Sequence, residues 1–411
     1  MQEVSRYAVG LDVGTTKVRA VVAHLDASTG APTIVGLGQA ESSGLRKGVI
    51  VNLQGPAQAI DKALGDAERM SGYQVHGATL NINGAHILTT HADGMIAVGA
   101  SDHEIAPDDL DRIEEVATLG KVPPNRETLD VVPHAYKLDG QDNIKDPIGM
   151  VGTRLEIDAH VVSALSPYLV NVQKTAELAK VEPHLIVASP VAAAKAVLNE
   201  QQLENGVAVI DLGGSTTGVA VYEEGDLQYV GVVPIGGAHI TNDLAIGLKT
   251  DPEVAEKVKR DHASAVVRNQ KSGISVKVND EIHSFTSEDI DDIVEARLEE
   301  IFEGVQKELK KAGYNGRLPS GVVLVGGGSQ LKDIVEFTKD FLKLAVKIGQ
   351  PVIHSSVADD IEPSEYATAI GLMLVDSENS SRGSGSSGKK KIASAKGAKN
   401  MVSNIFARFK A

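Results

Sequence analysis

The chain reads as an α/β protein of two similar lobes, with a smaller α+β unit inserted into the first. Three observations predict this. Val207-Ala-Val-Ile-Asp-Leu-Gly-Gly-Ser-Thr-Thr-Gly-Val-Ala-Val-Tyr222 is an apolar, β-branched run, a glycine turn rich in hydroxyls, and a second such run. Tyr7-Ala-Val-Gly-Leu-Asp-Val-Gly-Thr-Thr-Lys-Val-Arg-Ala-Val-Val22 repeats the device near the N-terminus. Val322-Val-Leu-Val-Gly-Gly-Gly-Ser-Gln-Leu331 is a further strand, glycine turn and helix start.

Each turn carries a carboxylate just before its glycines, Asp12 and Asp211. A glycine turn exposes backbone N–H groups that can cradle phosphate oxygens. Thr15, Thr16, Ser215, Thr216 and Thr217 add hydroxyl donors, and the two aspartates suit a metal ion held through water. Standing alone, either stretch also suits an ordinary β-hairpin. Two copies imply two halves that grip a nucleotide between them. No Gly-x-x-x-x-Gly-Lys-Ser/Thr loop occurs, and no Gly-x-Gly-x-x-Gly opens a helix, which disfavours the commoner nucleotide folds.

Composition sets the bounds. A chain of 411 residues exceeds one core and predicts roughly two to four domains. The absence of cysteine excludes disulfides and thiolate chemistry. Met1 to Arg6 is polar and no apolar run reaches the length of a membrane span, so the expectation is a cytoplasmic protein. A net charge of -15 argues against nucleic acid as a partner. The stretch from Asn379 to Ala411 differs: it has no Asp or Glu and eight Lys or Arg. A basic tail on an acidic body suits an anionic surface.

In chain order, Pro56 to Met70 has helical spacing and stops before Gly72. Ala78 to Leu88 alternates like a strand, Asp108 to Leu119 is an amphipathic helix after Pro107, and Glu127 to Leu138 and Leu155 to Ser163 are strands. Residues 80–165 form the inserted unit. Tyr168 to Ala179 is a helix and Leu185 to Ala188 a strand. Ser189 to Leu198 is a helix of small residues that lets another element approach closely.

Past the second turn, Val230 to Ile235 is a strand, and Gly236-Gly237 opens a helix. Asp251 caps a helix beginning at Pro252, on which Glu256, Lys259 and Arg260 share a face. That spacing equally suits a surface row of ion pairs. Phe285 to Lys311 contains a long core helix. Gly326, Gly327 and Gly328 are thin enough to back a flat ligand, and Ser329 follows them. Glu365 to Leu374 is a second small-residue helix, a partner for Pro190 to Leu198.

The remainder reads as a linker and a foot. Glu378 to Gly388 is rich in Ser, Gly and Asn, and is expected to be disordered. Val402, Ile405, Phe406 and Phe409 fall in one narrow arc of a helix, flanked by Arg408 and Lys410. Basic stems beside an apolar arc suit a membrane surface; docking on a protein surface is the alternative.

The order of these stretches resembles the actin, sugar kinase and Hsp70 ATPase superfamily. Within it the chain is most similar to the FtsA family of bacterial cell-division proteins. The specific matches are Gly48-Val-Ile-Val-Asn52, Lys145-Asp-Pro-Ile-Gly-Met150 in the insert, Val233-Pro-Ile-Gly-Gly237 with Thr241, and the amphipathic end. The resemblance implies an actin-like fold. Its first core subdomain is 1–79 and 166–198, its insert 80–165, and its second core 199–240 and 318–375. A further subdomain spans 241–317, a basic linker 376–399, and a membrane helix 400–411. It implies ATP and Mg²⁺, with Asp12 and Asp211 on the metal through waters. Gly14, Thr15, Thr16, Lys17, Gly213, Gly214, Ser215, Thr216, Thr217 and Gly237 would surround the phosphates. Glu256, Lys259 and Arg260 would hold the ribose side, and Gly326 to Ser329 the adenosine.

The implied partners are other copies in a filament, the C-terminal peptide of tubulin-like FtsZ with Arg297 as a candidate contact, anionic lipid and other division proteins, at the inner membrane of the septum. Hsp70-like members carry Glu where this chain has Ser189, which implies an ATPase that is slow at most. A PilM-like pilus protein has a similar core. A sugar kinase would need a substrate-side Asp, and a chaperone would need a peptide-binding domain after Leu374.

Overall fold

Two meanders of one design carry the fold, and both are built from the apolar β-branched runs that bracket the glycine turns. The structure, a computed structural model, describes residues 6–99, 103–268, 271–314, 316–351, 354–355 and 363–383. Strands β1 (Arg6–Val13), β2 (Lys17–Leu25) and β3 (Pro32–Glu41) pair antiparallel in succession. A small hairpin of β4 (Leu45–Arg46) and β5 (Val49–Ile50) follows. Helix α1 (Gln54–Ser71) buries Ile60, Ala63, Leu64 and Ala67, and ends at Gly72 with φ of 69°. Strand β6 (Gly77–Ile82) then runs parallel to β1.

The Ala78 to Leu88 alternation is not one strand. It breaks at residues 83–87, and β7 (Leu88–Ala97) leaves for a second sheet. The reason is Gly84, whose φ of 126° turns the chain out of the first lobe. Thus residues 77–82 stay in the lobe's own sheet, later than the residue 80 start read for the insert. The inserted sheet is β7, β10 (Arg154–Leu165), β8 (Arg126–Leu138) and β9 (Gln141–Ile144), in that spatial order. Helix α2 (Pro107–Thr118) covers one face, with Ile113 and Ala117 buried.

The chain returns through α3 (Ser166–Leu178) to β11 (Glu182–Ala188), which pairs parallel with β6. Helix α4 (Ser189–Val197) is buried at every residue. After the short α5 (Glu200–Asn205), strands β12 (Val207–Leu212), β13 (Thr217–Glu223) and β14 (Asp226–Val233) repeat the first meander.

Helices α6 (Gly237–Gly247) and α7 (Pro252–His262) lead to a hairpin of β15 (Gly273–Val278) and β16 (Glu281–Thr286). Asp251 has the extended backbone of a cap, but its side chain makes no capping bond. Phe285 belongs to β16. The long helix α8 (Ser287–Lys311) starts two residues later, capped by Thr286, whose hydroxyl accepts from the Asp289 amide. Strand β17 (Val322–Val325) runs parallel to β12, and after α9 (Ile334–Leu342), β18 (Val346–Ile348) runs parallel to β17. Strand β19 (His354–Ser355) adds to β3.

The final helix α10 (Ala367–Gly383) overturns part of the linker reading for 376–399. Residues 376–383 are helical, because buried Asp376 anchors them. Its carboxylate accepts bonds from the Val9 amide (2.9 Å), Thr79 Oγ1 (2.8 Å) and His184 Nδ1 (2.8 Å). As expected, α10 packs on α4. A Cβ at Gly371 would lie 1.7 Å from the Ala192 carbonyl, so only glycine allows this approach. Residues 384–411, including Val402, Ile405, Phe406, Arg408, Phe409 and Lys410, lie outside the described residues. Among the described residues, no helix is long and apolar enough to cross a membrane.

Candidate functional site

The two glycine turns face each other across the gap between the lobes. Each is pinched by its own backbone: the Gly14 amide donates to the Lys17 carbonyl (3.1 Å), and the Gly213 amide to that of Thr216 (3.0 Å). Thr15 Oγ1 and Ser215 Oγ are 2.7 Å apart, and the Gly48 amide also donates to Ser215 Oγ (3.2 Å). A Cβ on Gly214 would stand 2.7 Å from Thr16 Cγ2. Hydroxyls from both lobes thus converge where the oxygens of a phosphate chain would sit.

Beneath the turns lie Asp12 and Asp211, each the next-to-last residue of the first strand of its meander. Asp211 is 8% exposed. Burial pushes the Asp12 carboxyl up to about 7; the Arg19 guanidinium opposes this, the Asp211 charge adds to it, and the Asn81 amide opposes it. Burial likewise raises Asp211 to about 6, against the Thr368 hydroxyl (3.3 Å) and Arg19. Two carboxylates pushed upward on one cleft form a site short of positive charge. Arg19 and Gly218 occupy equivalent partner positions, opposite Asp12 and Asp211 respectively, so this cation comes from one lobe alone. Arg19 pairs with Glu365 (2.5 Å) and lies over the Tyr366 ring.

Asn81 Nδ2 donates to Asp12 Oδ1 (2.6 Å) and to Ser189 Oγ (3.0 Å), and Ser189 is 1% exposed. Asn83, two residues on, donates to Thr216 Oγ1 of the other turn (3.1 Å). The cluster expected on the ribose side is compact. Lys259 Nζ lies 2.6 Å from Glu256 Oε2 and 2.8 Å from Thr241 Oγ1, and reaches the Gly237 carbonyl at 3.3 Å. Gly326, with φ of 82°, lies against Asp211: a Cβ there would stand 2.4 Å from Asp211 Oδ1. A Cβ at Gly327 would meet only open space. Two sheltered acids, opposed hydroxyls and a bare glycine ledge fit a metal–nucleotide together.

Five of the expected contacts are placed otherwise. Thr217 is fully buried, and its hydroxyl donates to the Ile235 carbonyl (2.8 Å), so it locks β13 to the chain after β14. The Gly237 amide is committed to the Gly213 carbonyl (2.9 Å) and so props the second turn from behind. Ser329 is buried, its hydroxyl turned back to the Gly326 carbonyl (2.7 Å). Arg260 diverges from Lys259 by one helical step. It is exposed and lines a cavity of about 510 Å³ with Glu253, Glu256, Lys257 and the β15–β16 turn. Arg297 is engaged within the chain, by Asp243 of α6 (2.5 Å) and Glu300.

Sequence reading missed Asn81, Asn83, Arg19 and Thr368. The first two had a signal: asparagines alternating at the end of an otherwise apolar strand. Arg19 likewise interrupts the apolar run of β2.

A family description for cell division protein FtsA matches residues 208–371, and one for the SHS2 domain inserted in FTSA matches residues 84–163. The cell division protein FtsA of Neisseria meningitidis serogroup B is 36% identical over 378 residues, 91% of each chain. Among solved structures, a PilM–PilN type IV pilus biogenesis complex superposes with a TM-score of 0.65 at 17% identity, over 89% of this chain and 97% of that one. MreB5 of Spiroplasma citri bound to ADP superposes with a TM-score of 0.57 at 15% identity, over 93% and 99%. The two structural likenesses are of fold alone, and the fold is the actin-like ATPase one.

Proposed function

This chain belongs to the FtsA family of cell-division proteins, and from that premise we propose that it binds ATP with Mg²⁺ between its lobes. In this reading it polymerises and tethers FtsZ filaments to the inner face of the cytoplasmic membrane at the septum. The observation that carries the nucleotide part is the pair of facing turns over half-buried Asp12 and buried Asp211. The carboxylates hold the waters of Mg²⁺, which supplies the positive charge that the cleft lacks and neutralises phosphate. Thr15, Thr16, Gly214, Ser215 and Thr216 hold the phosphate chain. Glu256 and Lys259 take the ribose, and Gly326 to Gly328 back the base.

Hydrolysis is slow at most, because Ser189 stands at the start of α4 where the superfamily's hydrolytic group belongs. A serine hydroxyl is a poor base at neutral pH. The subdomain of residues 241–317 docks the FtsZ C-terminal peptide. There Arg297 must exchange Asp243 and Glu300 for a peptide carboxylate, an exchange between two charge-assisted pairs. The basic tail and the 400–411 segment meet anionic lipid.

Calorimetry with Mg-ATP tests the central assignment. Asp211→Ala is expected to weaken binding about tenfold or more, since it removes one of two charges on the metal's water shell. Unchanged affinity would remove Asp211 from the site.

A further inference from the structure

We infer that Asn81 is a positioning residue for the metal: it sets the Asp12 carboxylate for the metal's water shell and ties that carboxylate to Ser189. The inference rests on the metal–nucleotide reading above and concerns a residue that contacts neither phosphate turn's glycines.

Asn81 sits near the end of β6 and is 4% exposed. Its amide has one possible orientation. The Val13 backbone N–H donates to Asn81 Oδ1 (2.7 Å), so the oxygen must face β1. The other terminal atom must then be the nitrogen, and its two protons have two acceptors, Asp12 Oδ1 at 2.6 Å and Ser189 Oγ at 3.0 Å. A backbone group that cannot rotate therefore fixes the side chain, and the side chain fixes the carboxylate.

A bond from a neutral amide to an ionised oxygen is a strong one, and it holds Oδ1 in place. The second oxygen stays free for water on a metal. Without the amide, Asp12 would rotate about its own χ2, and the ordering cost would fall on metal binding. Ser189 shares the same NH₂ group, so the residue at the start of α4 moves with the metal's carboxylate. The strand end is itself braced, because Asn83 grips Thr216 of the opposite turn. One strand end thus touches both phosphate turns.

The test separates positioning from scaffolding by using the metal as the variable. ATP binding to the full chain is measured by calorimetry in Mg²⁺ and in EDTA, for the parent, Asn81→Leu and Asn81→Ala. The leucine removes donor and acceptor at nearly constant volume. The alanine removes the same groups without added bulk or charge, and serves if the leucine protein does not fold.

Expected is a loss of about 10–100-fold in Mg²⁺-dependent affinity, with binding in EDTA within twofold of the parent. Equal losses in Mg²⁺ and EDTA would assign Asn81 a purely structural role and overturn the inference, as would a full parental response to Mg²⁺. If the parent itself showed no response to Mg²⁺, the underlying metal reading would fail instead.

Discussion

At the scale of single residues, the cleft is organised by a shortage of positive charge. Asp12 is half-buried and Asp211 buried, their carboxyls are lifted to about 7 and about 6, and Arg19 alone is shared between them as an opposing cation. The ordinary carboxyl value is 3.8, so the folded chain binds more protons than the unfolded one between about 4 and 7. Their contribution to stability is therefore fully present at low pH and lost as pH rises through the two folded values.

In the proposed site Mg²⁺ would need both groups ionised, so its binding would expel the protons they hold. Mg-ATP affinity is expected to rise from pH 5 to about 7 and then level off. Calorimetry at pH 6.5 in two buffers of different ionisation enthalpy should register protons released. An identical heat in both buffers would mean that the two acids are already ionised in the free protein.

At the scale of elements, α4 and α10 cross at backbone contact, and α10 connects distant parts of the molecule. Its first turn reaches the cleft through Thr368 and Asp211. Further along, Asp376 accepts from β1, β6 and β11, and Glu378 pairs with the buried Lys195 of α4 (2.8 Å). Helices this close tolerate no added atom. Gly371→Ala places its methyl 1.7 Å from the Ala192 carbonyl, a backbone atom that cannot swing aside.

Overpacking of this kind costs about 1–3 kcal/mol, read as a lower urea midpoint of the full chain. A midpoint equal to that of the parent would show that the two helices can part freely. The small-residue pattern of both helices was legible in the sequence, because close packing requires such residues. The continuation of α10 to Gly383 was not, because Ser, Asn and Gly suggest a linker when no anchor is in view. The anchor, Asp376, gains its partners from three strands far away in the chain.

At the scale of the whole molecule, the proposed function depends on linking the cleft to the 400–411 segment. If that segment takes up the proposed helix on lipid, its four large apolar side chains would yield about 1.5–3 kcal/mol each at full burial, less at an interface, and ordering the helix would offset part of that. Nearby basic residues add about 1 kcal/mol each on anionic lipid. One copy should bind marginally, and a filament should bind strongly because its copies act together. Phe406→Glu puts a charge into the centre of the apolar arc and should abolish pelleting with anionic liposomes while Mg-ATP binding stays at the parental level. Full pelleting of that variant would exclude the segment as the anchor, and high salt should weaken parental binding only in part.

What the sequence determined by itself was everything carried by local chemistry. The doubled strand, turn and strand with its aspartate was visible because a glycine turn and a buried β-branched strand are specified by neighbours in the chain. So were α1, α2 and α8, whose apolar periodicity stands alone, and α4, whose small residues mark a closely packed helix. Only the tertiary structure decided which hydroxyls and amides meet the cleft. Thr216 and Thr217 are adjacent and alike, yet the first ends the turn and reaches Asn83, while the second opens β13 and reaches Ile235. Lys259 and Arg260 part for the helical reason, as one step of about 100° sends them to different faces. Asn81 and Thr368 lie 287 residues apart, and each reaches one of the two aspartates only once the sheets have closed. Hydrogen bonds act over a few ångströms, and no spacing along a chain reports a distance that folding alone creates.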